Sequence, residues 1–139
     1  MKLFNTPEQN NNLKNLAKKY NLKLLILFGS HAQGKTHAKS DYDIAALSRK
    51  PKELRRAVGE FGSDCAKALH IESDKVDISL LDRANPLLLH EVSKNGVLLY
   101  GTQYDFDNFN AYCYKQYIDY RPFFDLEEKT VNEFIKQYA

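Results

Sequence analysis

The sequence predicts an α/β or α+β fold in which a small mixed β-sheet is flanked by helices. Extended and helical segments follow one another in the order helix, strand, strand, helix, strand, helix, strand, helix, which is typical of a sheet covered by helices. The 139 residues suffice for one compact domain and leave no room for a second full one. We therefore expect a single domain over residues 1–139, with its core at about 6–100 and C-terminal helices at about 104–138.

The N-terminal half of the chain contains the first predicted helix and the first two predicted strands. Residues 6–9, Thr-Pro-Glu-Gln, form a capping-box pattern with proline at the first helical position, which predicts a helix that ends near Asn21. The apolar run 22–28 is bounded by turn residues and predicts a buried strand. A polar, glycine-containing segment follows over 29–40, and 42–47 is the second predicted strand. Twelve residues are about the minimum for a crossover, so the pattern leaves the pairing of these two strands open.

The second half of the chain adds two strands and further helices. Apolar residues from 54 to 69 recur at helical spacing and predict one long helix. Residues 75–81 and 97–100 predict the third and fourth strands, with a helix between them over 85–96 that begins at Asn-Pro and stops at Asn-Gly. The remainder is expected to be helical in two pieces, because the proline at 121–122 (Arg-Pro) cannot donate a helical hydrogen bond.

Composition and charge exclude several classes of protein. The net charge of +2 is too small to predict extensive contact with nucleic acid or with a membrane surface. Residues 1–7 lack the apolar segment of a secretory signal, and the best apolar run, 24–28, is far too short to span a bilayer. Cys65 and Cys113 are far apart in sequence, which favours two free buried thiols over a disulfide or a metal site. We therefore expect a cytoplasmic protein that binds neither membrane nor nucleic acid directly.

Two aspartates at the start of the second predicted strand are the first candidates for a functional site. Asp41 and Asp43 lie two residues apart, so their side chains leave the same face of a strand. Two carboxylates held side by side repel each other unless a cation lies between them. Mg²⁺ suits this arrangement because it takes hard oxygen ligands and typically combines one or two carboxylates with substrate phosphates and water.

A third aspartate lies within the third predicted strand. Asp77 is flanked by apolar residues, and aspartate is disfavoured in strand interiors. Coordination of a metal beside Asp41 and Asp43 would account for its position and complete a two-metal site, whereas an edge-strand charge that blocks aggregation is the alternative. His31 and His37 have no cysteine or third histidine at ligand spacing, so we interpret them as loop residues and predict no zinc site.

The segment between the first two strands has the composition of a phosphate-binding loop. Gly29 follows a buried strand directly and allows a ligand to approach the backbone closely, while Ser30 offers a hydroxyl and the next turn offers free amides. Lys35 and Lys39 are candidates to face the outer phosphates, and Ser40 completes the candidate nucleotide-binding set. Each of these features alone is common in turns and at strand ends. Their combination with the three aspartates indicates a nucleotide site.

The combined pattern resembles a known superfamily. Gly-Ser at 29–30, followed after ten residues by Asp-x-Asp at 41–43, is similar to the signature of the DNA polymerase β-like nucleotidyltransferases. The flanking residues 28–34 and 40–44 resemble the minimal nucleotidyltransferase branch, and most of all the MntA-type antitoxins that are encoded beside a HEPN-domain toxin. The resemblance covers about residues 6–100.

This resemblance implies a nucleotidyltransferase fold, an activity and a partner. In family members the equivalents of Asp41, Asp43 and Asp77 bind two Mg²⁺ ions and are catalytic, and the equivalents of Gly29 and Ser30 bind the triphosphate. MntA-type proteins move AMP from ATP to a tyrosine of the partner toxin, a ribonuclease, and release pyrophosphate. The resemblance therefore implies a protein adenylyltransferase, the antitoxin of a type VII-like toxin–antitoxin module, with a HepT-like HEPN toxin as its partner.

One departure and two alternatives accompany this interpretation. His31 stands where many relatives have arginine, which leaves Lys35 or Lys39 as possible substitutes at the phosphates. A small-molecule nucleotidyltransferase of the aminoglycoside-modifying type is one alternative, although such enzymes often carry an added substrate domain that this chain lacks. A non-catalytic antitoxin that blocks its toxin by contact alone is the other, although a pure binder would have no use for three aspartates.

Aromatic residues are concentrated at the C-terminal end. Of the 9 tyrosines and 8 phenylalanines, 12 follow Leu99. Tyr112, Tyr114, Tyr117 and Tyr120 spread around a helix axis, so one face cannot bury them all and some rings are expected on the surface. Because tyrosine is favoured at interfaces, we predict that the exposed rings dock the toxin. The alternative is that these helices only cover the sheet.

Overall fold

The computed structural model describes residue 4, residues 6–34 and residues 41–138. These residues form a mixed four-stranded sheet with helices on both faces, which confirms the predicted fold class. In chain order the elements are α1 (Pro7–Tyr20), β1 (Leu22–Phe28), α2 (Gly29–Gln33), β2 (Tyr42–Ser48), α3 (Pro51–Arg56), α4 (Val58–Leu69), β3 (Val76–Leu80), α5 (Pro86–Asn95), β4 (Val97–Tyr100) and α6 (Gln103–Tyr138), with short 3₁₀ turns at Ser73–Lys75 and Leu81–Arg83.

The strand order in the sheet is β3-β2-β1-β4. Strand β1 pairs antiparallel with both β2 and β4, and β2 pairs parallel with β3. The segment between β1 and β2 therefore joins antiparallel strands and is not a crossover, which settles the pairing that the sequence pattern left open. The crossover between the parallel strands β2 and β3 contains α3 and α4, as parallel pairing requires.

Two hydrophobic cores lie on opposite faces of the sheet. Because successive strand residues alternate in direction, Leu25 and Leu27 of β1 face the core beneath α1 and α4, while Leu24 and Ile26 face the core beneath α5 and the first part of α6. All four side chains are fully buried. A sheet that is covered on both faces explains why β1 reads as an unbroken apolar run.

The first helix begins as predicted. Thr6 is its N-cap: the amide of Gln9 donates to Thr6 Oγ1 at 3.1 Å, and the Gln9 side chain accepts from the Thr6 amide at 3.3 Å. The helix ends where Asn21 adopts a left-handed conformation with φ of 54°. This turn leads directly into β1 and fixes where the apolar run of that strand begins.

Both cysteines are free and buried, as predicted. Cys65 lies in the core beneath α1 and α4, and Cys113 lies in the opposite core. Burial raises the pKa of each thiol to about 12. Both thiols are therefore protonated and unreactive at neutral pH.

The single helix predicted over 54–69 is wrong, because the chain breaks it into α3 and α4 at Ala57. The Ala57 amide donates to the carbonyls of both Glu53 and Leu54, and its φ of −110° and ψ of 19° are not helical. Val58, which the helical spacing placed on the buried face, follows this break and is 39% exposed. Phe61 and the later apolar residues of α4 do pack in the core.

The predicted break at Pro122 is also wrong, because α6 continues through this proline to Tyr138. A proline inside a helix removes the hydrogen bond to the carbonyl four residues earlier and crowds that carbonyl. Pro122 and Ile118 are both exposed, so water can satisfy the carbonyl that the proline leaves without a helical partner. Among the helices described here, even this 36-residue one does not combine the length and apolar character that crossing a bilayer requires.

Candidate active site

The candidate site forms where β1 ends and β2 begins. Phe28, the last residue of β1, lies in register with Asp43 of β2. Gly29 follows with a φ of +74° and turns the chain into α2, a short helix that the sequence pattern did not predict within the polar segment. Gly34 ends α2 in the left-handed region with a φ of +71°. Glycine adopts both conformations without the steric cost that a side chain brings.

Gly29 lies directly against the carboxylate of Asp43. A Cβ atom at position 29 would be 2.1 Å from Asp43 Oδ2, far inside any real contact distance. The absence of a side chain at this position therefore leaves the space that the carboxylate occupies. The structure thus brings the Gly-Ser and Asp-x-Asp parts of the sequence pattern together.

Asp43 and Asp77 are cross-strand neighbours. They are in direct register in the parallel pair β2–β3, whose strands are separated by about 4.8 Å in any sheet. Tyr42 and Ile44 pack in the core beneath α1 and α4, so alternation directs Asp43 to the opposite face, the face that α5 covers. The apolar neighbours of Asp77 in β3 pack in the same core as Tyr42, which directs Asp77 to the same face as Asp43. Asp41 immediately precedes β2 and is exposed.

The three aspartates form a cluster of like charge. Burial raises the pKa of Asp43, and the negative charges of Asp77 and Asp41 raise it further. Glu91 of α5 acts in the same direction, while His31 of α2 opposes it. The ionised form of Asp43 is thus disfavoured by its surroundings, which is the situation that a bound cation relieves.

The donor set of this cluster fits Mg²⁺ that arrives with a phosphate ligand. Among residues 6–34 and 41–138, no three His, Cys, Asp or Glu side chains lie close enough to form a ready-made metal cage. Mg²⁺ does not need one, because it usually takes one or two protein carboxylates and completes its shell with phosphate oxygens and water. Asp41 and Asp77 are exposed and Asp43 is half-buried, so their oxygens are open to such a ligand.

The structure also places two further residues beside the aspartates. His31 lies in α2 and stacks on the ring of Tyr42, with ring centroids 3.6 Å apart and planes 11° apart. Glu91 lies on α5, which packs against α2. His31 is predicted to be a loop residue but lies in a helix, and the sequence pattern predicts no role for Glu91. No local signal identifies Glu91, because its position depends on how α5 packs on the rest of the chain.

Three residues of the candidate nucleotide-binding set lie outside the described residues. These are Lys35, Lys39 and Ser40, so their contact with a triphosphate stays a prediction. Ser30 lies in the first turn of α2 and is half-buried. The geometry on which the candidate site depends is therefore that of Gly29 and the aspartates.

The chain is similar to proteins of known activity. It is 36% identical over 95 residues to Protein adenylyltransferase MntA of Aphanizomenon flos-aquae, a match that covers 63% of this chain and 63% of that protein. The match thus spans less than two-thirds of the relative's length.

Solved structures resemble the chain over nearly all of its length. A crystal structure of a toxin–antitoxin with AMP-PNP superposes with a TM-score of 0.67 at 28% identity, covering 91% of this chain and 98% of that chain. A tri-AMPylated Shewanella oneidensis HEPN toxin in complex with MNT antitoxin gives a TM-score of 0.62 at 25% identity, covering 92% and 96%. The sequence profile of the family described as "Polymerase beta, Nucleotidyltransferase" matches residues 11–105. This match covers more than half of the chain, and the protein therefore belongs to the polymerase beta nucleotidyltransferase family.

Proposed function

We propose that this protein is an antitoxin that acts as a protein adenylyltransferase. It transfers AMP from ATP to a tyrosine of a cognate HEPN-domain toxin and releases pyrophosphate, in the cytoplasm where ATP is available. The observation that carries the proposal is the placement of Asp43 beside Asp77, with Asp41 next to them and Gly29 against the Asp43 carboxylate. Similarity to a protein adenylyltransferase and to complexes that contain AMP-PNP or an AMPylated toxin supports the choice of nucleotide and acceptor.

ATP binds through its triphosphate to the turn between β1 and α2. The first amides of a helix have no partners within that helix and so are free to donate to phosphate oxygens. Gly29 lets the phosphates approach the backbone, and the Ser30 hydroxyl adds a donor. Lys35, Lys39 and Ser40 complete this set in our proposal. The lysines take over the phosphate contact of the arginine that many relatives have at the position of His31.

Asp41, Asp43 and Asp77 are the residues that would hold the two Mg²⁺ ions that we propose as cofactor. These ions would supply positive charge that stabilises the triphosphate and the charge that develops during the displacement. Their binding would also offset the repulsion that raises the pKa of Asp43. This accounts for three carboxylates at a place where they otherwise cost stability.

The transfer is an in-line displacement at the α-phosphorus. The hydroxyl oxygen of the acceptor tyrosine forms a bond to the α-phosphorus while the bond from that phosphorus to pyrophosphate breaks. The hydroxyl proton passes to the carboxylate of Asp77, which is exposed and can therefore meet an incoming protein. The protein contributes mainly positioning and charge neutralisation.

Incubation with ATP labelled at the α-phosphate, Mg²⁺ and the toxin encoded beside this protein tests the proposal. Label should appear on a toxin tyrosine identified by mass spectrometry, and ATP labelled at the γ-phosphate should leave no label. Label on an aminoglycoside in place of the toxin would favour the small-molecule enzyme. Inhibition of the toxin without any label would favour an antitoxin that acts by contact alone.

A further inference from the structure

A single stripe of side chains runs along α6 at alternating spacings of four and three residues. In order, its members are Phe106, Asn110, Cys113, Tyr117, Tyr120, Phe124, Glu127, Val131 and Phe134. This spacing is the heptad pattern that keeps one face of a helix against a packing partner. We call this set the α6 stripe.

The first half of the α6 stripe packs on the rest of the protein. Cys113 is fully buried, and Phe106 contacts the core beneath α5. At the end of this half, Tyr117 stacks on His90 of α5, with ring centroids 3.7 Å apart and planes 8° apart. The domain therefore supplies the packing partner for α6 as far as Tyr117.

Exposure rises in the second half of the α6 stripe. Tyr120 and Val131 are 45% and 55% exposed, and Phe123 and Ile135 widen the same apolar face at 63% and 55%. A helix in a protein owes most of its stability to the packing of its apolar face, and Pro122 weakens this part of α6 further. A contiguous apolar face of this kind on a soluble domain marks an interaction surface.

Charge within the second half disfavours a second copy of this chain as its occupant. Glu127 occupies a stripe position in the middle of the apolar run, with Glu128 next to it. Parallel pairing of two copies would place Glu127 against Glu127. Antiparallel pairing with Phe124 opposite Val131 would place Glu127 against Glu128. Because like charges at paired positions are destabilising, the stripe fits a different protein that carries a basic side chain opposite Glu127.

The second half of the stripe also begins close to the candidate active site. His90, which contacts Tyr117, and Glu91, which affects Asp43, are consecutive residues of α5. One helix, about 10 Å in diameter, therefore separates the start of this open face from the aspartates. A protein seated there lies beside the place where its tyrosine must react.

We infer that the second half of the α6 stripe, from Tyr120 to Val131, is the docking surface for the toxin. The toxin presents an apolar helix-packing surface with a lysine or arginine opposite Glu127. The identity of this partner rests on the proposed function, whereas the location and charge preference of the surface rest on α6 itself.

A matched pair of charge reversals tests the docking surface. Glu127→Lys changes the stripe, and Glu133→Lys makes the same change on the far side of α6, where the glutamate is also exposed. Isothermal titration with the full-length toxin should give a Kd at least about tenfold weaker for Glu127→Lys and unchanged for Glu133→Lys, since an anchor at an interface centre carries that much binding energy. Circular dichroism should show both variants folded.

The tyrosines provide a second matched pair. Tyr120 lies on the α6 stripe, whereas Tyr114 is 64% exposed and lies off it. Tyr120→Ser should weaken toxin binding and Tyr114→Ser should not, with neither changing the melting temperature. This result would restrict the sequence-based prediction, that exposed tyrosines dock the toxin, to the tyrosines that lie on the α6 stripe.

Two outcomes would overturn the docking inference. One is equal toxin affinity for Glu127→Lys and Glu133→Lys. The other is self-association of the wild-type protein that Val131→Asp abolishes while toxin binding persists, because a second copy would then cover the stripe. The proposed function fails separately, if the wild-type protein binds the toxin and transfers no AMP to it.

Discussion

Asp43 and Asp64 are both partly buried, yet the surroundings of Asp43 disfavour its ionised form and those of Asp64 favour it. Asp64 of α4 accepts hydrogen bonds from Lys19 Nζ at 2.7 Å and from the Tyr20 hydroxyl at 2.5 Å. These hydrogen bonds lower the pKa of Asp64, and the bond from Lys19 has the largest effect. The pKa of Asp43 is raised, because the residue is partly buried and because the carboxylates of Asp77 and Asp41 lie near it.

The difference separates a structural carboxylate from a functional candidate. The Asp64 cluster joins α1 to α4, and burial together with Asp64 raises the pKa of Tyr20 to about 12, so that hydroxyl stays a donor at every physiological pH. In the Asp43 cluster, burial and like charges outweigh the opposing effect of His31, and such an arrangement persists at sites where a ligand supplies further positive charge. Mutations in the Asp64 cluster should therefore lower the stability of the protein, whereas mutations in the Asp43 cluster should lower its activity.

The largest expected effect is that of removing two functional charges together. Asp41→Asn with Asp43→Asn should abolish AMP transfer and leave the fold intact. Loss of even an outer-shell partner of a metal costs about 10–100-fold, and these residues are proposed as direct ligands. Label transfer to the toxin measures the activity, and circular dichroism is the control. Full transfer by the double variant would contradict the assignment.

Asp77→Ala should separate nucleotide binding from the chemical step. Asp41 and Asp43 would still hold a cation on the triphosphate, so ATP affinity should fall only partly. Transfer should drop by about 100-fold or more, in the range of losing a positioned acid–base group. Titration with AMP-PNP and single-turnover transfer measure the two properties. If neither changes, Asp77 is only an edge-strand charge.

Gly29→Ala should damage the same site without removing a charge. The new Cβ would collide with Asp43 Oδ2, and a φ of +74° costs an alanine roughly 1 kcal/mol. We expect AMP transfer to fall about tenfold or more while the protein still folds. Gly34→Ala is the control, because Gly34 has a similar φ of +71° and, among the described residues beyond its chain neighbours, no atom lies within 4 Å of a Cβ placed there. Equal losses in the two variants would show that backbone strain, and not the Asp43 contact, is responsible.

Asp64→Asn should show the opposite profile. It removes a hydrogen-bonded charge between α1 and α4, so the melting temperature at pH 7 should fall by a few degrees while AMP transfer is unchanged. Glu60→Gln is the matched control: Glu60 also contacts Lys19, at 3.0 Å, but both side chains are more than half exposed and such pairs contribute little. A loss of transfer in Asp64→Asn with normal stability would reverse the roles assigned to the two clusters.

Much of the fold could be predicted because its signals are local. The capping residue Thr6, the apolar run 22–28 and the Asn-Pro start of α5 each set an element boundary within a few residues. The wrong predictions concern helix boundaries at which the surrounding structure overrides a rule based on local sequence. At Ala57 a turn divides what the spacing predicts as one helix, and at Pro122 an exposed helix accommodates a residue that usually ends one.

The candidate site was predictable only in part, for the same reason. The spacing of Gly29, Asp41 and Asp43, with one aspartate in a later strand, identifies residues that the structure brings together. Their roles stay predictions. Glu91 could not be found, because α5 approaches the aspartates only through tertiary packing. The α6 stripe is present in the sequence as a heptad, but only the fold reveals that half of it is buried and half is open.

The smallest expected effect concerns stability in the absence of Mg²⁺ and ATP. Because the pKa of Asp43 is raised in the folded protein, ionisation of this residue opposes folding. Asp43→Asn should therefore raise the melting temperature slightly at pH 7. The gain should vanish below about pH 4, where the aspartate is protonated in both the folded and unfolded states.

The Asp64 cluster supplies the control of opposite sign. The pKa of Asp64 is lowered, so its charge stabilises the fold at neutral pH and this contribution is lost as the pH falls through the lowered value. When the melting temperature is plotted against pH from 3 to 7, Asp43→Asn should therefore lie above the wild-type protein and Asp64→Asn below it. Both differences should shrink toward the acid end. A destabilising Asp43→Asn at pH 7 would mean that this carboxylate makes a structural hydrogen bond, and that the two clusters do not differ in kind.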